Sequence, residues 1–234
     1  MTAAYPSPAN RIAAIVLAGG RASRLGGAAK PLLEVGGRTL LDHAVAAVAD
    51  CDPVIVVGPR MPVAGNVAWV REDPPFGGPV AAIAAGLAHL ETIAPETIAP
   101  EPATTEPTTT EPPTTAEPAE VYVLAADLPN ADEAVALLRQ HPLSPAEDGV
   151  CLSDASGRMQ WLTGRYRVDA LRAAARALPD EGRDASARAL LGGLTLTAVD
   201  AGGLAADIDT WDDLERARAK TQGHRRDDAP EETT

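Results

Sequence analysis

Three short runs of the chain are apolar almost without interruption: Ile12 to Ala18, Pro53 to Val57 and Val121 to Ala125. Runs of that length with no polar alternation predict strands buried on both faces, as in a parallel sheet. Between them the apolar positions recur at helical spacing. Leu41, Val45 and Val48 mark one face, and Val80, Ile83, Ala84, Leu87 and Leu90 mark another, with Pro79 suited to a first helical turn. Downstream, strands are predicted over Gly149 to Ser153, Gln160 to Tyr166 and Leu194 to Val199, and helices over Arg167 to Leu178 and Ala185 to Leu191. Thr210 and Asp213 form a capping-box pair that starts a last helix near Trp211. This alternation predicts a three-layer α/β fold, with helices on both sides of a mostly parallel, mixed sheet.

Residues 91–120, ETIAPETIAPEPATTEPTTTEPPTTAEPAE, break the pattern. A tandem ETIAP opens the stretch, a glutamate recurs every fifth residue from Glu91 to Glu111, and seven prolines add stiffness. Too little apolar surface is present to offset the entropy of ordering it, so a disordered excursion is expected. It leaves and rejoins one domain spanning residues 11–221, with residues 1–10 and 222–234 as flexible ends. The excursion holds seven glutamates and no lysine or arginine, so of the net charge of −13 the remainder of the chain carries only −6. The folded part is mildly acidic, and nothing in it favours nucleic acid as a partner. A hydrophobic content of 45% over 234 residues is enough for a sizeable core. No apolar run reaches the length of a membrane span and no secretory pattern opens the chain, so a cytoplasmic protein is expected. Cys51 and Cys151 lie too far apart to suggest a metal site or a disulfide framework and read as buried thiols.

Residues 17–37, LAGGRASRLGGAAKPLLEVGG, directly follow the first predicted strand and contain six glycines. A glycine-rich turn there sets free backbone amides at the carboxyl edge of a parallel sheet, where ligands of open α/β folds sit. There is no G-x-G-x-x-G, and Lys30 is followed by Pro31 rather than Ser or Thr, so neither a dinucleotide fingerprint nor a Walker loop is present. Arg24 and Lys30 beside those amides point to an anionic ligand joining them.

The run LAGG-x-A-x-R-L-G-G-x-x-K-P-L-L resembles the signature of the nucleotidyltransferases that activate sugars, sugar alcohols and molybdopterin. EDPPFGGPVAAIAAGL (72–87) is similar to a segment of the molybdenum cofactor guanylyltransferases in particular, and VYVLAADLPN (121–130), WLTGRYR (161–167) and DIDTWDDL (207–214) match further elements in order. The resemblance implies a Rossmann-like nucleotidyltransferase fold and Mg²⁺-dependent transfer of GMP from GTP to molybdopterin. It implies nucleotide contacts from Leu17, Ala18, Gly19, Gly20, Lys30, Asp73 and Asp127, with Asp73 recognising guanine. Arg24, Lys30 and Asp127 would be catalytic, Asp127 and Asp209 would hold the Mg²⁺, and the WLTGRYR strand would line the acceptor side. Molybdoenzymes or other cofactor-biosynthesis proteins would be possible partners.

Alternatives stay open at this point. DIDT is also found in the related cytidylyltransferases, and other acceptors, a sugar phosphate or phospholactate, fit the same superfamily. A nucleotide-binding accessory protein without turnover is a third reading. Two positions depart from the family pattern: Ala29 stands where an aspartate usually precedes the lysine, and VVGPRMP (56–62) lacks the asparagine usual after the second strand. His43 lies inside a helix beside an apolar face and reads as structural.

Overall fold

The computed structural model describes residues 11–20, 29–93 and 117–227. In chain order, β1 (Ile12–Leu17) is followed by a hairpin of β2 (Glu34–Val35) and β3 (Arg38–Thr39), then α1 (Leu40–Ala47), β4 (Val54–Val57), β5 (Ala68–Val70) and α2 (Gly78–Ile93). The second part comprises β6 (Glu120–Ala125), α3 (Ala131–Arg139), β7 (Gly149–Ser153), β8 (Met159–Arg167), α4 (Val168–Arg176), α5 (Ala187–Leu191), β9 (Leu196–Asp200) and α6 (Trp211–Asp227).

Seven strands make one sheet in the order β5-β4-β1-β6-β8-β7-β9. β8 runs antiparallel to β6 and β7, and the other pairings are parallel, so the sheet is mixed but mostly parallel, as expected. The carboxyl ends of β1, β4, β6, β7 and β9 therefore share one edge.

Period-two alternation divides the core into two layers. Ala14 and Val16 of β1, Val54 and Val56 of β4 and Tyr122 and Leu124 of β6 face α1 and α3, packing against Leu41, Val45, Val135 and Leu138. Their sequence neighbours Ala13, Ile15, Ile55, Val57, Val121 and Val123 face the other side, against Val80, Ile83, Leu87 and Leu90 of α2 and Leu171 of α4. Both faces of the central strands are covered, which is why their sequences read as unbroken apolar runs.

Several element ends differ from the predicted bounds for local reasons. β9 begins two residues later than expected because Leu194 N–H bonds back to Leu191 O at 3.1 Å and closes the turn after α5. The β2–β3 hairpin and β5 were not predicted; two and three residues are too short to carry a period. The hairpin turns on Gly36 and Gly37, both at positive φ (62° and 82°), the geometry of a two-residue type I′ turn. At the C-terminal end the capping box is formed: Thr210 Oγ1 accepts from Asp213 N–H at 3.2 Å while Asp213 Oδ2 accepts from Thr210 N–H at 2.8 Å.

Of the predicted excursion, Glu91 to Ile93 belong to α2 and Glu117 to Ala119 pack beside α4, where Pro118 is buried and Ala119 O accepts from Val168 N–H. Residues 94–116 lie outside the described residues, as do residues 1–10.

Candidate active site

The glycine loop leaves β1 between the ends of its two neighbours. Ala18 N–H bonds to Val57 O at 2.9 Å and Ala126 N–H bonds to Leu17 O at 3.0 Å, so the ladder holds the loop on both sides. Gly58, at φ +154°, comes so close that a β-carbon there would sit 2.9 Å from the Ala18 carbonyl carbon and 3.0 Å from Gly19 N. Gly19 and Gly20 follow, exposed at the sheet edge. Arg24 lies outside the described residues.

Lys30 opens a 3-10 turn, Lys30–Leu32, in which Pro31 takes the position where a missing N–H costs nothing. Its ammonium lies between two carboxylates, 2.6 Å from Asp127 Oδ2 and 2.9 Å from Asp209 Oδ1. Lys30, Asp127 and Asp209 therefore converge, although Lys30 and Asp209 are 179 residues apart in the chain. Burial would lower the Lys30 pKa, but attraction and hydrogen bonding to Asp127 and Asp209 outweigh it and raise the value above that of a free lysine. Ala29 is exposed and contributes only its carbonyl, which accepts from Leu32 N–H at 2.8 Å. The lysine is thus held without a carboxylate at position 29.

Asp127 stands two residues beyond the end of β6. The placement of Asp209 depends on packing. Ile208 is 1% exposed and joins Val35, Leu40 and Leu214 in a small apolar cluster between the hairpin, α1 and α6. Its N–H also bonds to Asp127 O at 3.2 Å. Burying Ile208 fixes the segment that carries Asp207 and Asp209 on either side of it. Asp213 Oδ2 accepts from Asp209 N–H at 3.1 Å, so the cap of α6 braces the same segment. Arg218 Nε donates to Glu34 O at 2.9 Å and ties α6 to the hairpin. Desolvation at the packed loop, then the charges of Asp127 and Asp209, push the Asp207 carboxyl above its ordinary range.

These groups suit a divalent cation. Asp127 Oδ1 is buried and accepts no hydrogen bond, an acceptor left over after Lys30 has taken Oδ2. Among the described residues no cluster of three or more His, Cys, Asp or Glu side chains forms a metal cage. Two carboxylates with an unmet oxygen fit a magnesium ion, which commonly takes one or two carboxylates and completes its shell with phosphate oxygens and water.

Asp73 is exposed and forms no hydrogen bond or ion pair with Lys30, Asp127 or Asp209. With Glu72 it lines the end of a cleft of about 770 Å³ that runs between α2 and α4 over Ala81, Ala85 and Ala175. Glu72, not singled out from the sequence, sits nearer the glycine loop: its Oε1 is 3.9 Å from the point a β-carbon on Gly19 would occupy. The ED pair at 72 and 73 was the available signal, but which member turns toward β1 depends on the tertiary path of the loop. Trp161 is half-buried and its carbonyl accepts from Tyr166 Oη at 2.6 Å. His43 Nε2 donates to Val35 O at 3.0 Å and holds α1 to the hairpin. Burial pushes Cys51 up to about 12 and Cys151 up to about 11, so neither is a thiolate at neutral pH.

A glycine turn at the carboxyl edge of an open sheet, with a lysine and two carboxylates converging near it, is an arrangement common to the nucleotide-binding α/β class. The chain belongs to the MobA-like NTP transferase domain family, whose pattern matches residues 14–198. It is 38% identical over 86 residues to the molybdenum cofactor guanylyltransferase of Bradyrhizobium sp. (strain ORS 278), a match covering 35% of this chain and 41% of that protein. A protein of the same name from Rhodopseudomonas palustris (strain BisB5) is 40% identical over 88 residues, covering 36% and 42%. The chain thus spans about two fifths of the length of the curated relatives it matches. In fold it is similar to the molybdopterin-guanine dinucleotide biosynthesis protein A of Archaeoglobus fulgidus (TM-score 0.61, 17% identity, 90% of this chain and 99% of that one). The 4-diphosphocytidyl-2C-methyl-D-erythritol synthase of Anaerococcus prevotii DSM 20548 shares it as well (TM-score 0.58, 16% identity, 92% and 97% covered). Among the described residues no helix is long and apolar enough to cross a membrane.

Proposed function

We propose that this chain transfers GMP from GTP to molybdopterin and releases pyrophosphate. The observation that carries the reading is Lys30 held between Asp127 and Asp209 beside the glycine loop, with Asp127 Oδ1 left unsatisfied. Membership of the NTP transferase family supports the reaction class, and the names of the matched relatives support the base and the acceptor.

In this reading Leu17 to Gly20 offer backbone groups to the nucleotide, and Arg24 and Lys30 balance the phosphate charge. Asp127 and Asp209 would hold a Mg²⁺, which when bound would supply charge withdrawal at the α-phosphate. Lys30 acts as a charged ammonium and not as a base, since Asp127 and Asp209 raise its pKa above the ordinary lysine value. A terminal phosphate oxygen of the acceptor attacks the α-phosphorus in line, and pyrophosphate leaves from the opposite side. Position and charge neutralisation are the protein's contributions, and no side-chain nucleophile is required.

The Asp207 to Thr210 run DIDT favours one second reading, CMP transfer to the same acceptor. Purified protein offered GTP, CTP, ATP and UTP, each with Mg²⁺ and molybdopterin, separates the two by pyrophosphate release. GTP alone is expected to be turned over. Turnover of CTP alone replaces the leading reading with the second, and silence with all four refutes both. Asp127→Asn is expected to cut the GTP rate by about a hundredfold or more, as loss of one electrostatic group commonly does.

A further inference from the structure

The two carboxylates that suit a divalent cation are the same two that hold Lys30. The ammonium contacts Asp127 Oδ2 at 2.6 Å and Asp209 Oδ1 at 2.9 Å, and among the described residues it pairs with no other acid. Position 29 is alanine, so the neighbouring residue offers the lysine no alternative partner. A divalent cation taking those oxygens would lie against a unit positive charge, and with Lys30 in contact the pair keeps only one net negative charge to attract it. Asp127 Oδ1 is buried and accepts no hydrogen bond, so it is one oxygen that Lys30 leaves uncovered. One oxygen beside an ammonium attracts a cation less strongly than two carboxylates do.

The backbone beneath these groups is tied down. Leu33 N–H bonds to Lys30 O at 3.1 Å, and Leu40 N–H bonds to Leu33 O at 2.9 Å, which fastens the lysine turn to the start of α1. Across the site Ile208 is buried and its N–H bonds to Asp127 O at 3.2 Å, while Asp209 N–H bonds to Asp213 Oδ2 at 3.1 Å. A change of partner therefore falls to the side chains. Lysine suits it, because its ammonium is a point charge with three rotatable donors on a flexible four-carbon stem. The phosphates of a nucleotide replace the negative charge that Lys30 gives up on leaving the carboxylates. The carboxylates, once released, regain a cation in the metal.

We propose that Lys30 is an exchangeable counter-ion: it competes with the divalent cation for Asp127 and Asp209 and passes to the phosphates when nucleotide and metal enter together, so that each ligand favours the other. The inference rests on the nucleotidyl-transfer reading given above. Two titrations of the full chain test it. Mn²⁺, which prefers the same oxygen ligands as Mg²⁺, is titrated without nucleotide and its free ion counted by electron paramagnetic resonance. GTP is titrated by calorimetry with Mg²⁺ in excess. Lys30→Gln, which keeps the stem and loses the charge, is expected to bind Mn²⁺ about tenfold tighter and GTP about tenfold weaker than wild type. Opposite signs mark the exchange. A lysine that serves only the phosphates leaves Mn²⁺ unchanged, and one that only assembles the carboxylates weakens both ligands; either result overturns the inference. Should Lys30→Gln unfold, the wild type carries the test by itself. Lys30 and Lys220 are the only lysines of the chain, so labelling with ε-¹³C-lysine gives two signals, assigned through Lys220→Arg. GTP and Mg²⁺ together are expected to move the Lys30 signal, with exposed Lys220 on α6 as the unmoved reference. A Lys30 signal that stays in place while calorimetry shows GTP bound overturns the exchange and leaves the nucleotide reading standing. A wild-type protein that binds no GTP with Mg²⁺ removes that reading and this inference with it.

Discussion

Replacing Lys30 with alanine takes away the ammonium on which two carboxylates meet. The contacting oxygens of Asp127 and Asp209 can be no further apart than the two contact lengths, 2.6 and 2.9 Å, laid end to end, about 5.5 Å. At an effective dielectric constant of about 20, two like charges at that separation repel by about 3 kcal/mol. The side chains of Asp127 and Asp209 are 20% and 47% exposed, so solvent screening reduces this to about 1–2 kcal/mol. Loss of the favourable contacts brings the expected destabilisation to about 2 kcal/mol at pH 7.5 without divalent cation, or about 4–8 °C in Tm. The pH dependence follows from the raised Lys30 pKa. Its stabilisation is complete below the ordinary lysine value of 10.5 and is lost only as pH rises through the still higher folded value. The difference between wild type and Lys30→Ala is therefore flat from about pH 7 to pH 9. Urea unfolding of both proteins at pH 7.5 and 9, with and without millimolar Mg²⁺, measures these values. Mg²⁺ should recover part of the loss at pH 7.5, and Asp209→Asn added to Lys30→Ala should recover part of it without metal. A loss at pH 7.5 untouched by Mg²⁺ and by Asp209→Asn would refute the electrostatic account and leave only packing.

Three further outcomes are expected. Gly58→Ala should cost about 2 kcal/mol or more and weaken every nucleotide alike, because the new methyl meets the Ala18 and Gly19 backbone rather than a movable side chain; unchanged melting and binding would show that the loop yields freely. Tyr166→Phe should cost about 1–2 kcal/mol in chemical unfolding, since the ring is fully buried and its hydroxyl satisfies Trp161 O at 2.6 Å. Replacing residues 94–116 by a short glycine–serine linker should leave Tm within about 2 °C and activity unchanged. Extending the deletion through Ala119 should lower Tm, because it removes the Glu117 partner of Arg172, the buried Pro118 and the carbonyl that bonds Val168 N–H.

The Glu117–Arg172 pair lies inside the stretch that the sequence predicts as an excursion. Residues 91–120 share one composition, yet Glu91 and Glu117 both pair with Arg172 and so belong to the packed structure. Composition reports what a segment could bury by itself, and an ion pair with a distant helix is invisible to it. β8 is a similar case. Its apolar content was legible, but its antiparallel direction follows from the hairpin with β7, which Asp154 closes by accepting from Ser156 and Arg158 N–H.

The sequence by itself determined the strand and helix periods, the two-layer division of the core, the cap of α6 and the set of charged residues from which a site could be drawn. Those properties depend on neighbours a few residues away, through side-chain alternation, helical spacing and local hydrogen bonds. Tertiary structure decided which of the charges meet. Asp209 reaches Lys30 because Ile208 is buried against Val35, Leu40 and Leu214. Glu72 approaches Gly19, and Asp73 stays exposed, because the loop before α2 is braced at Phe76 and Gly77. Convergence of this kind depends on strand order and packing between segments far apart in the chain, and no local pattern encodes it.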